Sequence, residues 1–124
     1  MKTTKTIIDA HVILRYLLND SPEMSATARN MVQSGTATFP EVVAEVVYVL
    51  LKVYKASWED IAAYIQTVLD DVEVERKDIM LRAAVLFGES SLDFVDCILL
   101  AHHEVDNANV FSFDKKLNRR IARQ

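Results

Sequence analysis

Residues 6–18 read Thr6-Ile7-Ile8-Asp9-Ala10-His11-Val12-Ile13-Leu14-Arg15-Tyr16-Leu17-Leu18. The β-branched run that ends at Ile8 predicts a short buried strand, and the apolar residues that follow recur at helical spacing. We therefore predict a strand over 6–8 and a helix over 11–18 directly after it. A strand that passes so quickly into a helix is typical of a β-α unit, from which parallel sheets are built.

The same alternation of short strands and longer helices continues along the chain. We predict further strands over 36–39, 72–75 and 109–113, with helices between them and a last, basic helix after Asp114. The residues Thr38-Phe39-Pro40-Glu41 have the pattern of a capping box, in which Thr38 would cap the following helix. The pattern predicts one α/β domain over residues 1–124, with three layers and a short, mostly parallel central sheet flanked by helices.

Composition supports this class and excludes others. The chain has 124 residues, of which 51% are hydrophobic, so one domain with a real core is expected and a disordered protein is not. Its single cysteine excludes a disulfide scaffold. Lys2 and Lys5 before an apolar run resemble a leader peptide, but Asp9, His11 and Arg15 interrupt that run. We therefore expect a cytoplasmic protein with no membrane segment.

Charge is unevenly distributed. The net charge is −4, which argues against strong nonspecific binding of nucleic acid. Residues 115–124 nevertheless contain five basic residues and no acid, which leaves nine basic against 18 acidic residues in the rest of the chain. These five residues form what we call the basic strip, namely Lys115, Lys116, Arg119, Arg120 and Arg123. Their positive charges either stabilise the carboxyl end of a helix through its dipole or contact phosphates.

Four acids stand in apolar surroundings. Asp9 follows one predicted strand and Asp114 follows another, while Glu45 and Asp96 interrupt apolar helical runs. Ligands in parallel α/β folds bind beyond the carboxyl ends of the strands, where several converging carboxylates would repel each other unless a cation lay between them. Oxygen ligands favour Mg²⁺ or Mn²⁺ over zinc.

Each acid also has a purely structural interpretation. Asp9 and Asp114 are good helix N-caps, and Asp93 and Asp96 would suit the dipole of a helix first turn. Glu45 shares 4-3-4 spacing with Glu41, Tyr48 and Lys52, which is also the pattern of a solvated helix face. For each acid taken alone, the structural interpretation is at least as good as the interpretation as a metal ligand.

The sequence lacks the motifs that other kinds of active site would require. His11, His102 and His103 do not have the spacing of a zinc hydrolase, and Cys97 lies in an apolar run as a core residue would. No phosphate-binding loop is present. A phosphoaspartate receiver domain would need an acidic pair after the first strand, where Asp9 stands alone.

Taken together, four segments resemble the PIN-domain ribonucleases, and in particular the VapC-type toxins of bacterial and archaeal toxin–antitoxin pairs. The matching segments run from Ile7 to Leu17, from Val43 to Leu50, from Asp93 to Ala101 and from Val110 to Leu117. They occur in the family's order and cover nearly the whole chain. The resemblance implies the PIN fold and a hydrolase that cleaves RNA phosphodiester bonds with a carboxylate-bound Mg²⁺ or Mn²⁺.

The resemblance also assigns roles to individual residues. It implies that the metal is held by Asp9, Glu45, Asp96 and Asp114, with Asp93, Ser112 and His11 around them. At the position of His11 the family more often has Asn or Ser. The RNA backbone would be contacted by residues of the basic strip and one arginine near the start of the chain, namely Arg15, Lys115, Lys116, Arg119 and Arg120.

The resemblance further implies a homodimer and a cognate antitoxin protein. Two other functions remain open from the sequence. The chain could be a PIN-fold nuclease of RNA processing that has no antitoxin, or a binding module that kept the fold and lost the chemistry. His11 is the feature that favours the last of these.

Overall fold

A computed structural model describes residues 5–123, so Lys2 and the other residues of 1–4, together with 124, lie outside the described part of the chain. Within it, strands and helices follow in the order β1 (Thr6–Ile7), α1 (Ala10–Leu18), α2 (Pro22–Gln33), β2 (Thr36–Thr38), α3 (Pro40–Lys52), α4 (Trp58–Asp71), β3 (Glu73–Val74), α5 (Lys77–Glu89), α6 (Phe94–Asp106) and α7 (Lys115–Ala122). None of the helices in residues 5–123 has both the length and the apolar character needed to cross a bilayer.

The three described strands form one parallel sheet in the order β1-β2-β3. Thr6 lies opposite Thr36, and Ala37 lies opposite Glu73. The predicted α/β fold with a short parallel sheet and flanking helices is thereby confirmed. The prediction that the first strand is buried is wrong, because Thr6 and Ile7 of β1 are both exposed. Because the strands are parallel, their carboxyl ends share one edge of the sheet, and Asp9 follows β1 at that edge.

The predicted strand over 109–113 is wrong: the structure has no strand there. The β-branched and aromatic residues of this segment favour a strand locally, but they are not incorporated into the sheet. Backbone carbonyls in this loop accept local hydrogen bonds from side chains instead of forming a ladder with the sheet. The Asn118 Nδ2 donates to the carbonyl of Ser112 at 2.8 Å, and the Ala108 carbonyl is hydrogen-bonded to His103 Nδ1 at 2.9 Å. Asp114 is consequently a helix N-cap rather than a residue at a strand end.

The predicted capping box at Thr38 is also wrong. The N-cap of α3 is Phe39, which makes no side-chain capping bond, and Pro40 opens the helix where a missing N–H costs nothing. Thr38 is buried, and its Oγ1 donates to the carbonyl of Ile8 at 2.9 Å. Its hydroxyl therefore joins β2 to the segment that leads to Asp9.

An aromatic cluster fixes the start of α6, where Asp93 and Asp96 lie. The ring of Phe87 on α5 stacks on Trp58 of α4 with centroids 4.3 Å apart, and meets the edge of Phe94 at 5.9 Å. Phe87 and Phe94 are almost fully buried. Large buried aromatic rings contribute strongly to stability, so the first turn of α6 is held firmly against the core.

Arg76 links the start of α5 to the end of α6. Its backbone is left-handed (φ 54°), and its guanidinium donates to Asp106 at 2.7 Å and to Asp78 at 3.0 Å. These hydrogen bonds from Arg76 lower the pKa of both carboxyl groups below their ordinary values. All three side chains are exposed, so these ion pairs contribute only modestly to the stability of the fold.

We predict that Arg76 contributes to stability only above acidic pH. Because the folded pKa values of Asp78 and Asp106 are lowered, the stabilisation is present above the unfolded values near 4 and is lost as pH falls through the folded values. In thermal melts from neutral to acidic pH, Arg76→Ala should therefore lose less stability on acidification than the wild type. Arg29→Ala is the matched control, because Arg29 donates to the uncharged Asn19. Equal acid sensitivity in wild type and Arg76→Ala would contradict the prediction.

Candidate active site

Three of the carboxylates line one surface concavity of about 310 Å³. Asp93 and Asp96 come from the start of α6, and Asp114 comes from the start of α7. Asp93 occupies the N-cap position of α6, yet its side chain makes no capping hydrogen bond. Its carboxylate is thus not committed to the helix. Ser91, Leu92, Lys115 and Lys116 complete the wall.

Asp96 is the half-buried acid of this group. Burial, followed by the negative charges of Asp114 and Asp93, raises the pKa of Asp96 above its ordinary value. Neighbouring carboxylates that repel each other are relieved by a cation, and carboxylate oxygens are the donors that Mg²⁺ and Mn²⁺ prefer. The oxygen atoms around Asp96 are therefore of the chemical kind that a hard divalent cation prefers.

Asp114 is fixed by a local network of hydrogen bonds. Its Oδ1 accepts from the backbone N–H of Leu117 at 2.8 Å, while its own N–H donates to the Ser112 Oγ at 2.9 Å. The helix-cap interpretation of Asp114 is thus confirmed. The cap uses one carboxylate oxygen and leaves Oδ2 for another ligand, so capping and metal binding are compatible.

Asp9 is held in the same way at the start of α1. The backbone N–H of Val12 donates to its Oδ1 at 3.0 Å, and the backbone of Asp9 is extended, as an N-cap requires. The cap interpretation is confirmed for this residue too. The Asp9 carboxylate is exposed at the carboxyl edge of the sheet.

Glu45 lies on α3 and faces α1. It is exposed, as are Glu41, Tyr48 and Lys52, so the helix does present a solvated face here. Glu45 nevertheless lines a small hollow of about 140 Å³ together with His11 and Arg15. The structure therefore places Glu45 beside His11, and not in the hollow that contains Asp93, Asp96 and Asp114.

The four predicted ligands are not gathered into one ready-made centre. Among residues 5–123, no group of three or more His, Cys, Asp or Glu side chains is arranged so that it could hold a metal ion. What the structure brings together is Asp96 with Asp93 and Asp114. Asp9 caps α1 and Glu45 lies on α3, and these two helices pack against each other.

The basic strip forms a second concavity beside the acidic one. This hollow of about 290 Å³ is lined on one side by Glu89 at the end of α5 and by the loop between α5 and α6. On the other side it is lined by the basic residues of the last helical segment, namely Lys116, Arg119, Arg120 and Arg123. Lys116, Ser91 and Leu92 line both hollows. Acids that fit a cation and bases that fit phosphates therefore share a wall.

Arg15, the predicted phosphate contact near the start of the chain, is paired with an acid. Its Nη1 donates to both carboxylate oxygens of Asp20 at 2.8 Å. Because the guanidinium already has an acidic partner, a phosphate would have to compete with Asp20 for it. Arg15 lines the small hollow of Glu45 and His11, whereas Lys116 and Arg119 line the basic hollow.

Sequence reasoning missed the loop that joins the two hollows. The run from Ser90 to Asp93 predicts a helix start, whereas α6 begins at Phe94. The loop is folded locally, with the Leu92 N–H donating to the Ser90 Oγ at 3.3 Å. Two adjacent serines carry no distinctive signal, so its place between acids and bases could not be read from the sequence.

The core interpretation of Cys97 is confirmed. The residue is fully buried on α6, and burial raises the pKa of its thiol to about 11. A thiol with so high a pKa is a poor nucleophile at neutral pH. Cys97 is therefore a core residue and does not form part of the surface of either hollow.

Comparison with protein families identifies the family to which the chain belongs. The family model of the PIN domain matches residues 6–122, a span that includes all four predicted ligands. Searches of curated proteins and of solved structures gave no significant match. Because the family model covers nearly the whole chain, the protein belongs to the PIN-domain family.

Proposed function

We propose that this protein is a divalent-metal-dependent endoribonuclease that cleaves RNA phosphodiester bonds, and that it is the toxin of a type II toxin–antitoxin pair. PIN domains are generally nucleases, which supports hydrolysis of nucleic acid. The observation that carries the proposal is the acidic hollow of Asp93, Asp96 and Asp114, which shares a wall with the basic hollow of α7.

In this proposal Asp9, Glu45, Asp96 and Asp114 hold the metal, and Asp93 adds negative charge beside it. A bound Mg²⁺ or Mn²⁺ supplies a water of lowered pKa and neutralises charge on the scissile phosphate. The helix caps keep the carboxylates of Asp9 and Asp114 oriented while leaving one oxygen of each for ligation. A carboxylate oxygen that is not engaged by the ion would accept a hydrogen bond from the attacking water and orient it.

The basic hollow supplies the attraction for RNA that the net charge of −4 does not. Lys116 is central because it lines both hollows, so a strand whose phosphates lie along α7 would pass Asp96 and Asp114. Ser90 and Ser91 add hydroxyl donors on the opposite wall of the basic hollow. Phosphate contacts of this kind position a strand without reading its sequence.

We predict that Lys116→Ala with Arg119→Ala weakens RNA binding and makes it less sensitive to salt. Each phosphate contact to a single strand contributes a slope of about −0.7 in log K against log salt, so two lost contacts should flatten the slope by roughly 1.4. Fluorescence anisotropy over a salt series measures this. The matched control is Arg29→Ala with Lys77→Ala, which removes the same charge from α2 and α5. An unchanged slope would contradict the prediction. It would mean that Lys116 and Arg119 stabilise the end of the helix but do not contact phosphates.

The proposed activity is tested with the purified protein and a labelled single-stranded RNA. Internal cleavage is expected with Mg²⁺ or Mn²⁺ and none is expected in excess EDTA. Cleavage that persists in EDTA would exclude metal dependence. Absence of cleavage with either metal, while RNA is still bound, would favour the inactive binding module, for which His11 beside Glu45 is the structural argument.

The toxin role has its own test. Induced expression in the cytoplasm of a bacterial host should arrest growth, and the protein encoded by the adjacent gene should relieve the arrest and bind as an antitoxin. The purified toxin should sediment as a homodimer. Metal-dependent RNA cleavage without growth arrest or a neutralising neighbour would instead identify an RNA-processing nuclease.

A further inference from the structure

Two phenylalanines project from the loop between α6 and α7. Phe111 is 85% exposed and Phe113 is 90% exposed, more than any other large hydrophobic residue in the described part of the chain. Their ring centroids are 5.3 Å apart and their planes are inclined by 79°. At such exposures both rings offer open surface to a ligand. A single exposed apolar side chain is ordinary, but two large aromatic rings in contact on the surface form an apolar patch.

The loop that carries the rings is well anchored. Ser112 lies between them, its carbonyl accepting from Asn118 of α7 and its Oγ accepting from the N–H of Asp114. Asp114 is fixed in turn as the cap of α7. The two rings therefore have a defined position relative to the last helix and to the acidic hollow.

The charged residues near the two rings indicate which class of ligand the rings would bind. Phe113 directly precedes Asp114, Lys115 and Lys116, which line the acidic hollow, and Lys116 continues into the basic one. A protein partner would be favoured by a wide apolar surface, whereas these rings stand beside cations and carboxylates. Exposed aromatic rings next to a positively charged groove are the arrangement that binds single-stranded nucleic acids, whose bases stack on the rings while their phosphates follow the cations.

We propose that Phe111 and Phe113 form a stacking platform for unpaired bases of the nucleic-acid substrate. The platform extends the proposed nuclease function, on which it rests for the class of substrate. A base stacked here belongs to a strand whose phosphates lie along α7 and pass the acidic hollow. The platform favours single-stranded over double-stranded RNA, because a paired base has its faces covered by its neighbours in the helix.

The test measures binding separately from cleavage. A fluorescein-labelled single-stranded RNA of about ten nucleotides is titrated with the protein in excess EDTA. Phe111→Ala and Phe113→Ala should each weaken binding roughly fivefold or more, as loss of one stacked base does. Phe→Leu at either position should behave like Ala, and Phe→Tyr should keep the wild-type affinity. The salt slope should stay unchanged, unlike that of the Lys116 and Arg119 variants. Melting temperatures should also be unchanged, because the rings are exposed.

A second arm asks whether the rings contact bases. Oligonucleotides with one abasic position, placed in turn along the strand, should bind the wild type less tightly at one or two positions. The double variant Phe111→Ala with Phe113→Ala should no longer distinguish these oligonucleotides from the intact one. Double-stranded RNA of the same sequence should bind the wild type and the double variant equally.

The outcomes separate the platform from the nuclease. If the wild type binds and cleaves RNA but the phenylalanine variants bind it equally well, the platform is wrong and the nuclease stands. If no RNA binds, the platform is wrong as well. If stacking is observed but no metal supports cleavage, the platform stands and the nuclease is wrong. A double variant that changes its sedimentation but not its RNA affinity would identify the rings as a protein contact and overturn the proposal.

Discussion

Asp96→Asn is expected to abolish nearly all RNA cleavage, lowering the rate by orders of magnitude, while the fold remains intact. Asp96 is the half-buried acid of the hollow and has both Asp93 and Asp114 near it, so among the proposed ligands its loss should weaken metal binding most. Without the Asp96 carboxylate, the site would lose the metal-assisted activation of water that the proposed reaction requires. Cleavage assays over a range of Mg²⁺ concentrations measure the loss, which high metal should not restore.

The same variant should be at least as stable as the wild type without metal. Because the pKa of Asp96 is raised in the folded state, its charged form is disfavoured there, and Asn removes that penalty. Loss of a first-turn acid costs about 0.3–1 kcal/mol in the opposite direction. The melting-temperature rise caused by Mg²⁺ should shrink, since that rise comes from binding to the folded state.

Asp60→Asn is the matched control for Asp96→Asn. Asp60 is the third residue of α4, as Asp96 is the third residue of α6, and it lies outside both hollows. It should lose the same dipole contribution but keep cleavage and the full Mg²⁺ shift. If Asp96→Asn cleaves RNA as Asp60→Asn does, Asp96 is not a metal ligand and the proposed site is wrong.

Asp9 provides the second large effect, because two substitutions separate its two roles. The carboxylate caps α1 through Val12, and Asn caps a helix about as well as Asp. Asp9→Asn should therefore retain stability and lose cleavage by orders of magnitude. Asp9→Ala should lose cleavage equally and also lose about 1 kcal/mol of stability with the cap. Thermal melts beside a cleavage assay distinguish the variants.

Two results would contradict the metal role of Asp9. Full cleavage by Asp9→Asn would leave the residue as a helix cap alone. An Mg²⁺-induced rise in melting temperature equal to that of the wild type would lead to the same conclusion. Comparison with Asp114→Asn is informative, because Asp114 caps α7 through Leu117 in the same way and should respond in parallel.

The β-α arrangement could be predicted from the sequence because its signals are local. The β-branched run before Asp9, the Pro at the start of α2 and the Ser57 cap of α4 each act within a few residues of where they stand. The strand over 109–113 could not be excluded in that way. Val110-Phe111-Ser112-Phe113 has strand propensity, and only the tertiary arrangement decides whether a place in the sheet is available.

The sequence predicts which residues belong to the candidate site, but it does not predict how they are arranged in space. That Asp93 and Asp96 would meet Asp114 depends on how α7 lies against α6, which no spacing in the sequence specifies. The resemblance names Glu45 as a ligand, yet its position beside His11 depends on the packing of α1 against α3. The capping bonds of Asp9 and Asp114 were foreseeable because N-caps are short-range interactions.

The buried thiol of Cys97 can be used to measure how often helix α6 separates from the core. With a pKa of about 11 and no exposed surface, Cys97 can react with an alkylating reagent only when α6 transiently separates from the core. Asp96 is the neighbouring residue on that helix. The labelling rate of this single cysteine therefore reports the free energy of opening at the candidate site, and a metal that binds Asp96 should slow the labelling in proportion to its occupancy.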